Sequence, residues 1–199
     1  MKKIFVLILT FVCFDCIYAQ QNQQNITNLN NESIINGASN SNTSSIFSLK
    51  YRGIVEIGLA SGLEQHGLNF VKLNVINGVQ FNPYIYLGFG AGIRIFTDSG
   101  TPVVPLFGDI RFNLLNKKVT PYIGCSIGYS FNIDYGLVGI GLMANPSFGV
   151  SYKVSPKASI HFGLGYEYQK QTASAYLTYN QYGRFIKSDS VSFNLGLDF

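Results

Sequence analysis

The sequence has little of what usually stabilises a protein of this size. It has no tryptophan and three cysteines, and charged residues make up 12% of the chain, about half of the usual share. The formal net charge is +4 without a dense basic run, so nucleic acid is not an expected partner. Beyond the N-terminal segment no apolar run reaches the roughly 20 residues that a transmembrane helix needs.

The N-terminal segment has the layout of a cleavable signal peptide. Lys2 and Lys3 precede the apolar stretch Ile4–Phe14, and the small residue Ala19 follows. We expect cleavage after Ala19, which predicts a signal peptide over residues 1–19. The mature chain then keeps Cys125 as its only thiol, and this excludes an intramolecular disulfide.

Residues 20–48 are dominated by asparagine, glutamine and serine. Such a segment cannot bury enough apolar surface to fold, so the sequence predicts a disordered tail here. From residue 49 to residue 199 the pattern changes to strands in which apolar and small or polar residues alternate. We predict eight: Leu49–Ala60, Leu68–Gln80, Pro83–Phe96, Val103–Leu114, Thr120–Phe131, Val138–Val154, Lys157–Tyr168 and Asp189–Phe199.

The two faces of these strands differ in a way that suggests which one meets solvent. In the third strand the large residues from Ile85 to Ile95 alternate with Tyr86, three glycines and Arg94. A face made mostly of glycine and serine is a poor water-exposed surface, but it suits the inside of a narrow barrel. We therefore predict an all-β, eight-stranded antiparallel up-and-down transmembrane barrel with its apolar face towards lipid. The alternative is a soluble, lipocalin-like barrel whose apolar face binds an apolar ligand.

Several short motifs in residues 49–199 support the membrane interpretation: Pro105–Phe112, Pro121–Gly124, Gly128–Tyr129, Asn145–Val150 and the terminal Leu197–Phe199. In their order and spacing they resemble the small outer-membrane β-barrel proteins of Bacteroidetes-type bacteria, which are related in architecture to OmpA and OmpX barrels. The resemblance implies a barrel fold and an outer-membrane location, and we separately expect the barrel to be a monomer. It also implies that Phe199 is a signal to the barrel-assembly machinery. It implies no shared activity, because fold does not fix function.

The charged residues on the small-residue face form the main candidate site. We expect a lumen network of Arg52, Glu56, Lys72, Arg94, Asp109, Arg111, Lys153, Glu167 and Asp198. An eight-stranded lumen is narrow enough for side chains to fill, so paired charges are expected, with a narrow solute path as the alternative. A symmetric first hairpin centred on Glu64 predicts that Glu56 pairs with Lys72.

Other candidate sites are weaker. Ser159, His161 and Glu167 share the inner face, and such a set suggests a membrane-lipid hydrolase as a less favoured alternative to a non-enzymatic barrel. Two separated histidines and one mature cysteine make no metal site, and no cofactor is expected. The longest loop carries four residues that we expect to form a contact surface: Tyr176, Tyr179, Tyr182 and Arg184. Outer-membrane lipid is the other expected partner of the barrel.

Overall fold

The computed structural model describes residues 49–63, 69–97, 102–133, 137–171 and 186–199. The predicted signal peptide, the predicted tail and the loop residues Tyr176, Tyr179, Tyr182 and Arg184 lie outside these ranges. In the described ranges no helix is long and apolar enough to cross a membrane.

Eight strands form a single closed sheet in which each strand pairs antiparallel with its neighbours in sequence and the last strand pairs with the first. The strands are β1 (Lys50–Gly62), β2 (Phe70–Gln80), β3 (Ile85–Phe96), β4 (Pro102–Asn113), β5 (Val119–Asn132), β6 (Val138–Ser155), β7 (Ala158–Gln171) and β8 (Ile186–Asp198). The predicted fold is confirmed, and no strand end differs from its predicted position by more than three residues.

Three short turns define one end of the barrel, which we call the turn end. They join β2 to β3, β4 to β5, and β6 to β7. In the first of them the Asn82 side-chain oxygen accepts hydrogen bonds from the backbone N–H groups of Tyr84 and Ile85, each at 2.8 Å. Asparagine favours turns because it can replace a backbone acceptor in this way. The opposite end, which we call the loop end, carries the other connections, and the longest of them joins β7 to β8.

The side chains alternate between an apolar outer face and a polar inner face of the barrel. Phe89 is 79% exposed and Phe148 is 61% exposed on the outside, whereas Lys72 and Glu167 are almost fully buried inside. A soluble barrel would show the reverse arrangement. The lipocalin-like alternative is therefore wrong, because the apolar face surrounds the barrel instead of lining a cavity.

The β5–β6 pair contains a β-bulge that the alternation of residue types in the sequence does not reveal. The β5–β6 register shifts between Ser130 and Phe131, and Gly141 opposite Ser130 has a backbone φ of 151°. This conformation strongly favours glycine. The β-bulge brings both Ile140 and Met143 to the buried face, although they are three residues apart.

Candidate functional site: the charged interior of the barrel

The interior holds two groups of ion pairs. The first, which we call the turn-end cluster, is centred on Arg111. Its Nη2 donates to Glu56 Oε1 at 2.6 Å and its Nε donates to Asp109 Oδ2 at 2.7 Å. Asp109 also accepts from the Ser126 hydroxyl at 2.6 Å, and the Arg111 guanidinium lies over the Tyr122 ring. Arg111 thereby links β4 to β1 across the lumen.

His161 extends the turn-end cluster between two carboxylates. Its Nε2 lies 2.8 Å from Glu56 Oε1 and its Nδ1 lies 2.9 Å from Asp198 Oδ1. Asp198 in turn accepts from Arg52 Nη2 at 2.5 Å, and Arg52 also donates to Gln80. Arg52 is the most exposed member, with 18% of its side chain accessible, and it is the charged residue with which the cluster meets water.

The second group, which we call the loop-end cluster, is centred on Glu167. Its carboxylate accepts from Lys72 Nζ at 2.8 Å and from Arg94 at 2.5 Å. Asn145 Nδ2 also donates to it, at 2.8 Å. Every member is buried, and Lys72 and Glu167 each keep 1% of their side chain exposed. Because an isolated charge would be costly here, each of the two buried cations depends on the Glu167 carboxylate.

Glycines make room for these long side chains. A Cβ atom added to Gly196 on β8 would overlap the His161 ring, and one added to Gly58 would lie 2.8 Å from Lys72 Cε. Gly92 similarly leaves space for the Asn74 amide. The inner face is rich in glycine because a narrow lumen can hold large charged residues only where their neighbours are small.

Little free space remains between the two clusters. A cavity of about 10 Å³ is bordered by residues of both, including Glu56, Arg94 and Arg111. That volume is close to the minimum for a single water molecule. Among the buried polar atoms of the described residues, Asn74 Oδ1, Arg94 Nη1 and Asn194 Oδ1 have no hydrogen-bond partner, and all three residues line this cavity.

The predicted pair between Glu56 and Lys72 is wrong. Glu56 lies opposite Asn74, and Lys72 lies opposite Gly58, so the register of β1 and β2 is offset by two residues from the predicted one. An offset of two keeps both side chains on the inner face, because faces alternate with every residue. Their partners lie across the lumen instead: Glu56 binds Arg111, and Lys72 binds Glu167.

The structure places eight of the predicted network residues inside the barrel, in the two clusters: Arg52, Glu56, Lys72, Arg94, Asp109, Arg111, Glu167 and Asp198. The prediction that Lys153 also lies inside the lumen is wrong. It is exposed at the turn end, where Nζ donates to Asn116 Oδ1 at 2.9 Å. Its strand extends beyond the lumen there, so an inward direction no longer means burial.

The candidate hydrolase residues are not brought into a catalytic arrangement. Both ring nitrogens of His161 face the carboxylates of Glu56 and Asp198, and Ser159 is not among its partners. Glu167 belongs to the other cluster, where it binds Lys72. Within the described residues no group of three or more metal-ligating side chains comes together.

Phe199 lies directly after β8 and closes the barrel against β1. Its backbone exchanges two hydrogen bonds with Gly53, at 2.8 and 2.9 Å. The ring covers Gly53, since a Cβ atom added there would lie 2.7 Å from it. The structure thus places Phe199 at the seam between the first and last strands, while its part in assembly stays a prediction.

Sequence reasoning missed the neutral members of the network. Asn74 and Asn145 hydrogen-bond Glu56 and Glu167, and Tyr122 packs edge-on against His161 with ring centroids 5.7 Å apart. All three residues occupy inner-face positions, so the alternation placed them there. Nothing local in the sequence indicates which residues meet across the lumen.

An apolar exterior and a charged, side-chain-filled interior define a small transmembrane barrel of the outer-membrane type. No family model matches the sequence, and no curated protein is similar to it. Among solved structures, the chain is similar to Neisserial surface protein A, with a TM-score of 0.55 and 13% identity over 76% of this chain and 97% of that one. This likeness supports the fold and nothing further.

Two other solved barrels are similar at lower TM-scores. The N-terminal barrel domain of Pseudomonas aeruginosa OprF has a TM-score of 0.46 and 14% identity, over 76% of this chain and 100% of that one. The outer membrane enzyme PagL has a TM-score of 0.42 and 11% identity, over 74% of this chain and 98% of that one. Neither score is high enough to carry an argument about this protein.

Proposed function

We propose that this protein is a non-enzymatic, monomeric structural barrel of the bacterial outer membrane, with at most limited passage of small solutes. The observation that carries the proposal is the filled lumen. Four cations and four carboxylates pair inside it, and the cavity between the two clusters has a volume of about 10 Å³. A cavity of that size holds no more than a single water molecule.

The ion pairs support a structural role because they cross the lumen. Lys72 on β2 binds Glu167 on β7, and Glu56 on β1 binds Arg111 on β4. Each pair joins strands that are not neighbours in the sheet. Such links resist flattening of the barrel, whereas a conducting lumen would need the same space for water.

The proposal includes the location of the protein and its route of assembly. The predicted signal peptide and the resemblance to Bacteroidetes-type barrels support export to the outer membrane. Phe199, at the seam of the barrel, fits a role as the residue that the assembly machinery reads. Contact with a surface partner through Tyr176, Tyr179, Tyr182 and Arg184 remains a proposal drawn from the sequence alone.

The test is a deletion of the gene in its source bacterium, with two readouts. Uptake of an apolar fluorescent dye reports the integrity of the envelope, and uptake of small sugars reports passage through the barrel. We expect the deletion to raise dye uptake and leave sugar uptake unchanged. The complete chain should restore the barrier, and so should Ser159→Ala, because no catalytic serine is involved.

Two results would contradict the proposal. Unchanged dye uptake with slower sugar uptake would show that the barrel is a solute conduit. Failure of Ser159→Ala to restore the barrier, at a normal level of folded protein, would favour the hydrolase.

A further inference from the structure

Exposed lysines concentrate at the turn end of the barrel. Lys117 and Lys118 lie in the turn between β4 and β5, and Lys157 lies in the turn between β6 and β7. Lys153 is near the end of β6, and Lys50 begins β1 at the same end. All five are exposed, and we call them the lysine rim.

Among the described residues, no exposed acidic side chain lies near the lysine rim. Glu56, Asp109, Glu167 and Asp198 are all engaged in the interior clusters. Asp189, the remaining described carboxylate, lies near the loop end of β8, where it pairs with Tyr168. Counted over described side chains and with His161 neutral, the five rim lysines and the two arginines of the turn-end cluster outnumber the three carboxylates of that cluster by four at the turn end.

The rim lies at the edge of the lipid-facing surface. Leu115 and Val119, which flank the lysine pair in the β4–β5 turn, are 42% and 51% exposed. Lys118 Nζ lies 5.2 Å from the centre of the Tyr152 ring, and Tyr152 is itself exposed. Aromatic rings and long basic side chains next to an apolar belt mark the level of the lipid headgroups.

The two lysine-bearing turns are held side by side. The backbone N–H of Lys153 donates to the carbonyl of Lys118 at 2.8 Å, and Val119 lies opposite Tyr152 in the β5–β6 pair. The ammonium groups therefore belong to adjacent, ordered segments. Four of the five charges are carried by these two turns and the adjoining end of β6: Lys117, Lys118, Lys153 and Lys157.

We propose that the lysine rim binds the headgroups of anionic phospholipids in the leaflet at the turn end. The phosphodiester and the net negative charge of such a lipid complement the uncompensated ammonium groups, while its acyl chains lie against the apolar belt. A zwitterionic lipid offers the same chains without the net charge. The rim thereby selects lipid and favours one direction of the barrel across the membrane.

A single fluorophore can measure this selection, because the natural chain has no tryptophan. Tyr152→Trp places it beside the rim and keeps an aromatic ring under Lys118. The full mature chain is folded into vesicles of brominated phosphatidylcholine, and unbrominated phosphatidylglycerol is added in increasing proportion. Recovery of fluorescence gives the relative binding constant of the two lipids. We expect a preference of roughly three- to tenfold for the anionic lipid at low salt, which falls as salt is added.

Matched variants separate this effect from general lipid contact. Changing Lys117, Lys118, Lys153 and Lys157 to glutamine should abolish the preference, and changing them to arginine should keep it. Ile95→Trp, an exposed position near the loop end of β3, should report no preference. Soluble glycerol 3-phosphate should not displace the lipid.

The proposal is overturned by equal binding of the two lipids at Tyr152→Trp, or by a preference that is the same at Ile95→Trp. Displacement of the lipid by soluble glycerol 3-phosphate would show a site for free phosphate instead and would also overturn it. If the glutamine variant does not fold, the arginine variant and the salt series still decide: a preference that salt leaves unchanged contradicts an ionic origin.

Discussion

Removing the carboxylate of Glu167 should be among the most damaging single changes in the barrel. Glu167→Gln keeps the shape of the side chain but leaves two buried cations, Lys72 and Arg94, without their anion. Neither cation has another carboxylate partner among the described residues. We expect the free energy of unfolding to fall by roughly 3–5 kcal/mol, the usual cost of breaking a buried ion pair from one side.

Lys72→Met should cost less than Glu167→Gln. Glu167 keeps its bonds to Arg94 and Asn145 when Lys72 is replaced, so no charge is left alone. The double variant, Lys72→Met with Glu167→Gln, should be more stable than the sum of the single effects predicts. The expected coupling energy is roughly 1–3 kcal/mol, as for contacting residues in general.

A second double-mutant cycle provides the control. The cycle of Glu56→Gln and Lys72→Met tests the pair that a symmetric first hairpin would predict. The observed β1–β2 register does not form this pair. Its coupling energy should be smaller than that of Lys72 and Glu167, because Glu56 and Lys72 form no ion pair with each other. The assay is equilibrium urea unfolding in lipid vesicles, followed by tyrosine fluorescence and by the mobility shift of the folded barrel on gels. Stronger coupling between Glu56 and Lys72 than between Lys72 and Glu167 would refute the assigned network.

Three further predictions concern the exterior, the packing and the seam. Phe89→Lys, in the apolar belt, should destabilise the barrel by about 2–4 kcal/mol in urea unfolding, whereas Val154→Lys at the turn end should cost about 0–1 kcal/mol; equal costs would contradict the placement of the belt. Gly196→Ala should destabilise it by roughly 1–3 kcal/mol because the added methyl group meets the His161 ring, and an unchanged urea midpoint would show that the ring moves freely. Deletion of Phe199 should lower the amount of folded protein at the cell surface, measured by surface labelling, and normal surface levels would count against a part in assembly.

The fold could be read from the sequence because each strand repeats the same two-residue signal. Ile85, Leu87 and Phe89 point outward while Gly88 and Gly90 point inward, and a single misplaced residue would break the pattern. The bulge at Gly141 could not be predicted in this way, because the residue types around it do not differ from those of a regular strand.

The partners within the site could not be read from the sequence for a different reason. Alternation tells which face a residue occupies, but the lumen brings together strands that are distant in the chain. Arg111 and Glu56 are 55 residues apart, and Glu167 and Lys72 are 95 apart. Which charges meet depends on the stagger of all eight strands. The predicted hairpin pair failed because its symmetric centre was assumed, and an error of two residues changes every partner while leaving every face unchanged.

The central claim is that a closed, charge-filled lumen runs through a barrel that spans the membrane, and single-channel recording tests it most directly. The purified mature chain, folded and inserted into a planar lipid bilayer, should carry no sustained current in either direction of voltage, because paired side chains occupy the lumen. A variant with Lys72, Arg94 and Glu167 of the loop-end cluster and Glu56, Arg111 and His161 of the turn-end cluster all changed to glycine provides the positive control and should conduct small ions. Stable open-channel currents from the unaltered chain, at a conductance equal to that of the control variant, would contradict the account.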